Sequence, residues 1–317
     1  MSIEPECLKI IFMGTSRFAV PALEALVSSS HTVTAVVSQP DRPRGRGKQV
    51  QPTPVKEAAL RNNCTVYQFP RIKEPKAVET LAALQPDLLV VVSFGQIISS
   101  QLLQVPPLGC INLHASLLPY YRGAAPVQRA IMAGEKKTGI STMLMDVGVD
   151  TGDILLQEEV SIDSDMDHGQ LEALLAERGA GLLVQTIEKV ARKEITGRKQ
   201  DDRFASYAAM ISREDEIIDW SAPALAVHNR IRALSPSPGA YTAMEESRLK
   251  IFRSRVFSPG GQGISGQVLG YTQEGMLVQT GEGSMEILEV QKEGKKRMSI
   301  PEFIKGFRLP EGLILHC

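Results

Sequence analysis

Residues 8–14 read LKIIFMG, a short apolar run that contains two isoleucines and ends at a glycine. Such a run predicts a buried strand. The amphipathic stretch at 18–28 predicts a helix, and residues 32–39 (TVTAVVSQ) predict a second strand. The alternation continues, with strands predicted at 65–70, 87–94 and 109–116 and helices at 53–62, 74–84 and 126–133. This rhythm predicts an α/β fold with a doubly wound, mostly parallel, Rossmann-like sheet.

The rest of the chain departs from this alternation. Residues 139–160 have the pattern of extended chain around a turn rich in Gly and Asp, and a long helix is predicted at 168–193. Residues 190–206 are mostly polar and lack apolar periodicity, which is typical of a linker. An amphipathic helix and several short strands follow, and they predict a small β-barrel or sandwich. We therefore predict a first domain at 1–189, a linker at 190–206 and a second domain at 207–317.

Composition and charge exclude several classes of protein. The chain has 317 residues, of which 43% are hydrophobic and 22% charged, and its formal net charge is −1. These values exclude a coiled-coil rod, a disordered tail and a protein that is basic over its whole surface. The four cysteines lie far apart without a Cys-x-x-Cys pair, and the N-terminus lacks the apolar run of a signal peptide. We expect a cytoplasmic protein without a membrane span.

Two segments resemble cofactor or metal motifs but lack the residues that those motifs need. The turn at 14–19 (GTSRFA) holds one of the three glycines of a dinucleotide fingerprint, and the chain has no P-loop. The acidic run from Asp163 to Asp167 resembles the start of an EF-hand, but its glycine comes one position late and position 12 is Leu174. An acid-rich helix N-terminus explains the run better. We predict neither a nicotinamide or flavin cofactor nor a metal site.

A polar pair on the predicted strand at 109–116 is the first candidate for chemistry. Asn112 and His114 are two residues apart, so their side chains project from the same face of a strand. They lie toward its carboxyl end, where doubly wound sheets bind ligands. An amide N–H beside an imidazole can stabilise an oxyanion, and a nearby carboxylate can keep the imidazole protonated. The alternative is a pair of hydrogen-bonded core residues.

The carboxylate partner remains open at this point. Asp146, Asp150 and Asp153 all lie in the turn at 146–153, where Gly148 and Gly152 allow a tight backbone. Any one of the three could be presented to the cleft.

A basic segment at 41–48 (DRPRGRGK) follows the predicted second strand. Its glycines and prolines are compatible with a loop that nucleic acid orders on binding. Arginine forks suit phosphates and base edges. The alternative is an ordinary solvated loop. Its positive side chains are Arg42, Arg44, Arg46 and Lys48.

Several longer motifs resemble those of the folate-dependent formyltransferases. The core of the resemblance is 112–131, NLHASLLPYYRGAAPVQRAI. Residues 8–26, 39–48 and 145–155 extend it, and 219–221, 231–240 and 294–299 carry it into the second half. The resemblance therefore covers essentially the whole chain.

This resemblance implies a C-terminal barrel of the oligonucleotide-binding type and formyl transfer from 10-formyltetrahydrofolate to the α-amine of methionine on initiator tRNA. It implies that the catalytic residues are Asn112, His114 and Asp150. Folate binding falls on Ser116, Leu117, Leu118 and Pro119. The basic segment becomes a tRNA-binding loop, with Arg42 as its leading residue. No metal is implied, and the one departure from the family pattern is at residues 120–121, where two tyrosines stand.

Three other functions remain open on the sequence. The first is a formyltransferase for a small amine, which has little use for an arginine-rich loop. The second is a hydrolase that passes the formyl group to water with the same three residues. The third is a tRNA-binding or folate-sensing protein without activity, which does not need an intact catalytic set. We expect a monomer.

Overall fold

A computed structural model describes residues 7–44, 49–244, 247–258 and 263–316. These residues form two compact units, and neither unit is continuous in sequence. The first holds the described residues of 1–123, 138–160 and 172–207, and the second holds those of 124–137, 161–171 and 208–317. This division differs from the contiguous domains predicted from the sequence, because 124–137 and 161–171 pack with the second unit.

The strands follow the predicted alternation closely. In the first unit they are β1 (Lys9–Gly14), β2 (Thr32–Ser38), β3 (Arg42–Arg44), β4 (Gln49–Gln51), β5 (Val66–Gln68), β6 (Leu88–Val92), β7 (Cys110–His114), β8 (Arg122–Gly123), β9 (Lys137–Leu144) and β10 (Ile154–Ser161). Strand β11 (Tyr207–Ala208) lies where the two units meet in sequence. The others are β12 (Ala240–Met244), β13 (Ser247–Ser258), β14 (Val268–Tyr271), β15 (Met276–Gln279), β16 (Ser284–Lys292) and β17 (Met298–Ser299).

The helices also agree with the sequence pattern. They are α1 (Val20–Val27), α2 (Pro54–Arg61), α3 (Pro75–Ala82), α4 (Ser100–Leu103), α5 (Pro126–Met132), α6 (His168–Ala191), α7 (Ala224–Ala233) and α8 (Ile300–Phe303). Three of the first four have proline at their first or second position, where its missing N–H costs no hydrogen bond. Within the described ranges, none of these helices combines the length and the apolar character that a bilayer span requires.

A seven-stranded sheet forms the centre of the first unit. Its strand order is β10-β9-β7-β6-β1-β2-β5. The neighbours from β7 to β5 run parallel, whereas β9 runs antiparallel to β7. Every residue of β6 is buried, as expected for a central strand covered on both faces. The predicted doubly wound, mostly parallel sheet is confirmed.

The second unit is built on an antiparallel sheet with strand order β12-β13-β16-β15-β14. The segment at 312–316 closes this sheet, because it bonds to both open edges. Val268 N donates to Leu313 O at 2.8 Å on one side, and Ala243 N donates to His316 O at 2.9 Å on the other. The predicted small C-terminal barrel is confirmed. Trp220, which is buried and donates from Nε1 to Thr242 Oγ1 at 3.0 Å, anchors its core.

Candidate active site

The polar pair lies at the carboxyl end of β7, between β6 and β9. Asn112 and His114 extend from the same face, and both reach Asp150 in the loop between β9 and β10. Asn112 Nδ2 donates to Asp150 Oδ1 at 3.3 Å, and His114 Nδ1 lies 3.6 Å from Asp150 Oδ2. Because the partners are 36 or 38 positions apart in sequence, the sheet is what brings them together.

Asp150 is the one of the three candidate carboxylates that contacts the pair. Asp146 is used inside the turn, where its Oδ1 accepts from Gly148 N and Thr151 Oγ1 at 3.0 and 2.6 Å. The contact given for Asp153 is one of the main chain, because its carbonyl oxygen accepts from Leu144 N at 2.9 Å. Asp150, which the family resemblance implied, is therefore the aspartate that lies beside the pair.

The Asp150 side chain is fixed at both carboxylate oxygens, although its backbone is unusual. Oδ2 accepts from Gly123 N at 2.8 Å, in addition to the contact that Oδ1 makes with Asn112. The residue has φ +54°, which is uncommon outside glycine. The loop also needs glycine at 152, because a Cβ there would lie 1.7 Å from Leu144 O. Such strain is typical of functional loops.

His114 is buried and oriented by a main-chain carbonyl. Its Nε2 lies 3.0 Å from Tyr121 O, and a carbonyl oxygen can only accept, so Nε2 carries a proton. Nδ1 is then the nitrogen that faces Asp150 and is available to a substrate. Tyr121 has φ +57°, which turns its carbonyl toward the ring. The family departure at 120–121 thus falls on a residue that acts through its main chain.

The segment predicted to bind folate follows β7 directly and is tied to β9 and β10. Ser116 and Leu118 are buried, whereas Leu117 and Pro119 are half-buried. Leu118 N donates to Ser141 Oγ at 3.0 Å, and Gln157 Nε2 donates to Leu118 O at 2.9 Å. The segment is therefore a rigid wall beside His114. Within it, Leu117 and Pro119 are the more exposed side chains.

Part of the predicted tRNA-binding segment is a β-ribbon. Residues 42–44 of this segment form β3, which pairs antiparallel with β4 directly after the segment, so this part was wrongly interpreted as a loop. Arg42 is exposed, and its Nη2 donates to Gln39 Oε1 at 3.3 Å. For Arg44 the structure describes the backbone, whereas Arg46 and Lys48 lie outside the described residues.

A cavity of about 300 Å³ opens beside Arg42. It lies at the carboxyl ends of three neighbouring strands and is lined by Thr15 after β1, Gln39 after β2 and Ser93 after β6, among others. Asp41, the one acid of the basic segment, is neutralised by Lys56, whose Nζ lies 2.6 Å from Oδ2. The hydrogen bonds from Lys56 and Gln68 hold the pKa of the Asp41 carboxyl below its usual value. Asp41 is therefore paired with Lys56 and does not offset the positive charge of Arg42.

Sequence reasoning missed two residues that brace the site. Arg122 is 2% exposed, and its guanidinium donates to Gln200 Oε1 and Asp202 Oδ1. Gln200 in turn donates to the main chain of the Asp150 loop. Arg122 lies inside the family motif at 112–131, so the motif could have indicated a role for it. Gln200 lies in the segment interpreted as a linker, whose composition carries no such signal.

No group of three or more His, Cys, Asp or Glu side chains among the described residues has the arrangement of a metal site. The acidic run near 163–167 accordingly serves other contacts. Ser164 O lies 3.1 Å from His228 Nε2, and Asp163 O and Met166 O accept from Arg232. These contacts lie within the second unit and are made by the main chain of the turn.

Comparisons with known proteins find two family models and close relatives. The model of the formyl transferase family matches residues 8–187, and that of the formyl transferase C-terminal domain matches 210–308. The chain is 52% identical over 309 residues to a methionyl-tRNA formyltransferase from Syntrophomonas wolfei, covering 97% of this chain and 98% of the relative. It is 46% identical over 310 residues to one from Moorella thermoacetica, covering 98% and 100%.

A solved structure has the same fold. It is that of WlaRD, a sugar 3N-formyl transferase, in the presence of dTDP and 5-N-formyl-THF. The TM-score is 0.65 at 21% identity, with 92% of this chain and 100% of that chain covered. The resemblance found in the motifs is confirmed by both family models and by relatives that match nearly end to end. On these matches, the chain belongs to the formyl transferase family.

Proposed function

We propose that this chain transfers the formyl group of 10-formyltetrahydrofolate to the α-amine of methionine on initiator tRNA. The observation that carries the proposal is the meeting of Asn112, His114 and Asp150 at the end of β7. The names of the bacterial relatives, which match over nearly their full length, support the choice of acceptor.

The three side chains suit acyl transfer to an amine. The methionyl nitrogen forms a bond to the formyl carbon, the bond from that carbon to the folate nitrogen breaks, and the proton lost by the amine ends on that nitrogen. Asn112 Nδ2 has a second hydrogen beyond the one it donates to Asp150. We assign this N–H to the formyl oxygen as negative charge develops there, together with the Nδ1–H of a His114 that Asp150 keeps protonated on both ring nitrogens. Asp150 is the base through which the amine proton leaves.

Apolar side chains near the trio support a flat folate ring as the donor. Val147 and Val149, in the same loop as Asp150, are 82% and 62% exposed. Exposed aliphatic groups next to a polar site are typical of pockets that bind a ring and orient it by a few hydrogen bonds. We propose that they close on the folate together with the segment Ser116, Leu117, Leu118 and Pro119.

The basic segment is proposed as the contact with tRNA. Arg42 is exposed at the rim of this cavity and carries a charge that Asp41 does not offset. Phosphate contacts from arginine and lysine set affinity and position on a nucleic acid. We assign this role to Arg42, Arg44, Arg46 and Lys48.

The test is an assay with labelled 10-formyltetrahydrofolate and three acceptors: initiator Met-tRNA, elongator Met-tRNA and no tRNA. Formyl-methionyl-tRNA and free formate are both followed. We expect formylation of initiator tRNA, reduced about 100- to 1,000-fold in Asn112→Asp, because the change removes an oxyanion donor. Arg42→Ala is expected to raise the KM for tRNA. Arg61→Ala, which removes an exposed arginine of α2, is the matched control.

Other outcomes decide between the rival functions. Formate release without formylated tRNA contradicts the proposal and favours the hydrolase. Equal formylation of both tRNAs contradicts the choice of initiator tRNA. Inactivity in every arm contradicts the proposal and leaves a small-amine acceptor or a binding protein.

A further inference from the structure

The segment at 198–206, which the sequence analysis assigned to a linker, is part of the first unit and contacts both loops that hold the catalytic trio. Arg198 N and O each bond to Ile154, at 2.8 and 2.9 Å, which aligns the segment with the start of β10. Further along, Ser206 O accepts from Arg122 N at 2.8 Å. Gln200 lies between these two anchors, beside the loop that carries Asp150.

The Gln200 amide spans the Asp150 loop with all of its hydrogen-bonding groups in use. Its Nε2 donates to Asp150 O at 2.8 Å and to Gly152 O at 2.7 Å. Its Oε1 accepts from Arg122 Nε and Nη2 at 3.0 and 2.8 Å. Since carbonyls only accept and a guanidinium only donates, the amide has a single allowed orientation.

Arg122 makes this orientation rigid. Its side chain is 2% exposed and binds Gln200 with two N–H groups, and Nη2 also donates to Asp202 Oδ1 at 2.8 Å. The main chain next to it, Gly123 N, donates to Asp150 Oδ2 at 2.8 Å. Residues 122–123 therefore hold Asp150 in two ways. Gly123 N binds the Asp150 carboxylate directly, and Arg122 holds the Asp150 carbonyl through Gln200.

His114 is held from the same segment. Ser206 Oγ accepts from Tyr121 N at 2.9 Å, and Tyr121 O contacts His114 Nε2 at 3.0 Å. The distance between His114 Nδ1 and Asp150 Oδ2, 3.6 Å, is thus set by two braces that start from residues 200 and 206.

We propose that Gln200 is a positioning residue of the formyl-transfer site. It holds the left-handed backbone of Asp150, so that the carboxylate stays within reach of Asn112 and His114. This inference rests on the proposed function. Gln200 acts through Asp150 and touches no reacting atom. Side chains that hold a catalytic group in its productive geometry are worth large factors in rate, because a misplacement of about 1 Å can cost about 100-fold.

The key variant is Gln200→Glu. The carboxylate has the same size and still accepts from Arg122, but it has no hydrogen to donate to the carbonyls of Asp150 and Gly152. The change therefore removes the hold on the loop and keeps the contact with the buried arginine. If the melting temperature shows that Gln200→Glu is unfolded, Gln200→Met is measured in its place, because methionine is neutral and of similar length. Gln185→Glu makes the same chemical change on the exposed face of α6 and is the control.

A double-mutant cycle with Asp150→Asn separates positioning from a general structural effect. Single-turnover formylation is measured for the wild type, both single variants and the double variant. We expect Gln200→Glu to lower the rate about 10- to 100-fold in the wild-type background and less than about threefold in the Asp150→Asn background. The KM values for tRNA and for the folate are expected to stay within about threefold, and Gln185→Glu to match the wild type.

Equal losses in the two backgrounds overturn the inference, since Gln200 would then act independently of Asp150. A loss confined to KM, or no loss, overturns it as well. The proposed function fails in a different way, namely if the wild type does not formylate initiator Met-tRNA. In that case the same cycle is measured on formate release from 10-formyltetrahydrofolate. Inactivity of the wild type there too overturns both.

Discussion

Asp150 is a residue whose role comes from positions far away in sequence. The sequence leaves three aspartates open in one turn, because nothing local distinguishes them. The structure distinguishes them by long-range contacts: Asn112 Nδ2 and Gly123 N bind the two oxygens of Asp150. Spacing on the strand predicted that Asn112 and His114 share a face, which is correct. The aspartate that meets them is decided by how β9, β10 and their loop fold over β7. It could therefore be identified only from the family resemblance or from the structure.

His31 gives a prediction about pH and stability. Its Nδ1 accepts from Leu8 N at 3.3 Å, and Nε2 has no hydrogen-bond partner among the described residues. Burial lowers the pKa of His31 below its ordinary value of 6.5, and the charge of Glu188 offsets this only in part. The folded state therefore prefers the neutral imidazole. The contribution of His31 to the free energy of unfolding is therefore complete above about pH 6.5. It is lost as the pH falls from there toward the lowered pKa.

The measurement is the free energy of unfolding in urea at pH 8 and at pH 5.5, for the wild type and for His31→Gln. We expect the wild type to lose more stability between the two values, because glutamine does not titrate. Burial also lowers the pKa of His228, but His228 is present in both proteins, so the difference between them isolates His31. Identical pH dependence in the two proteins contradicts the assignment.

At the scale of elements, periodicity located the strands and helices but not their partners. The buried run at 88–92 is predictable because a central strand is apolar on both faces. The antiparallel β9 and the closing segment at 312–316 are not, since both depend on pairing across long sequence distances. The segment at 198–206 was interpreted as a linker because its side chains are polar. The side chains of Gln200, Asp202 and Ser206 bond to the loops around the active site, which needs polar groups.

Helix α2 gives a prediction about capping. Thr53 is its N-cap, is 2% exposed, and accepts from Lys56 N at 3.1 Å, while its hydroxyl also shares a hydrogen bond with Ser38 Oγ at 2.6 Å. Thr53→Ala removes the cap and leaves the buried Ser38 hydroxyl without that partner. We expect a loss of about 1–3 kcal/mol in the free energy of unfolding. Thr53→Ser, which keeps the hydroxyl, is the control, and urea denaturation is the measurement. Equal stability of the two variants contradicts the role of the cap.

For the whole molecule, the near-zero charge narrows the ways in which it can bind a nucleic acid. A net charge of −1 provides no general attraction to phosphate, so any such attraction comes from local clusters. Not every basic run of the sequence is available for this purpose. Arg297, in the basic run at 295–297, forms a bidentate pair with Glu289 and stacks on Phe252. Arg42 is exposed and its acidic neighbour is neutralised by Lys56. The monomeric state and the cytoplasmic location stay predictions.

The salt dependence of tRNA binding tests this local attraction. Each phosphate contact contributes about −0.7 to −0.9 to the slope of log affinity against log salt concentration. Contacts from Arg42, Arg44, Arg46 and Lys48 predict a slope of about −3, which is a loss of about 60-fold in affinity for initiator tRNA between 50 and 200 mM salt. Arg42→Ala is expected to make the slope shallower by about one contact, and Arg61→Ala to leave it unchanged. Fluorescence anisotropy with labelled tRNA gives both slopes. If Arg42→Ala weakens binding without changing the slope, then Arg42 does not contact a phosphate, and its role is in shaping the cavity beside it.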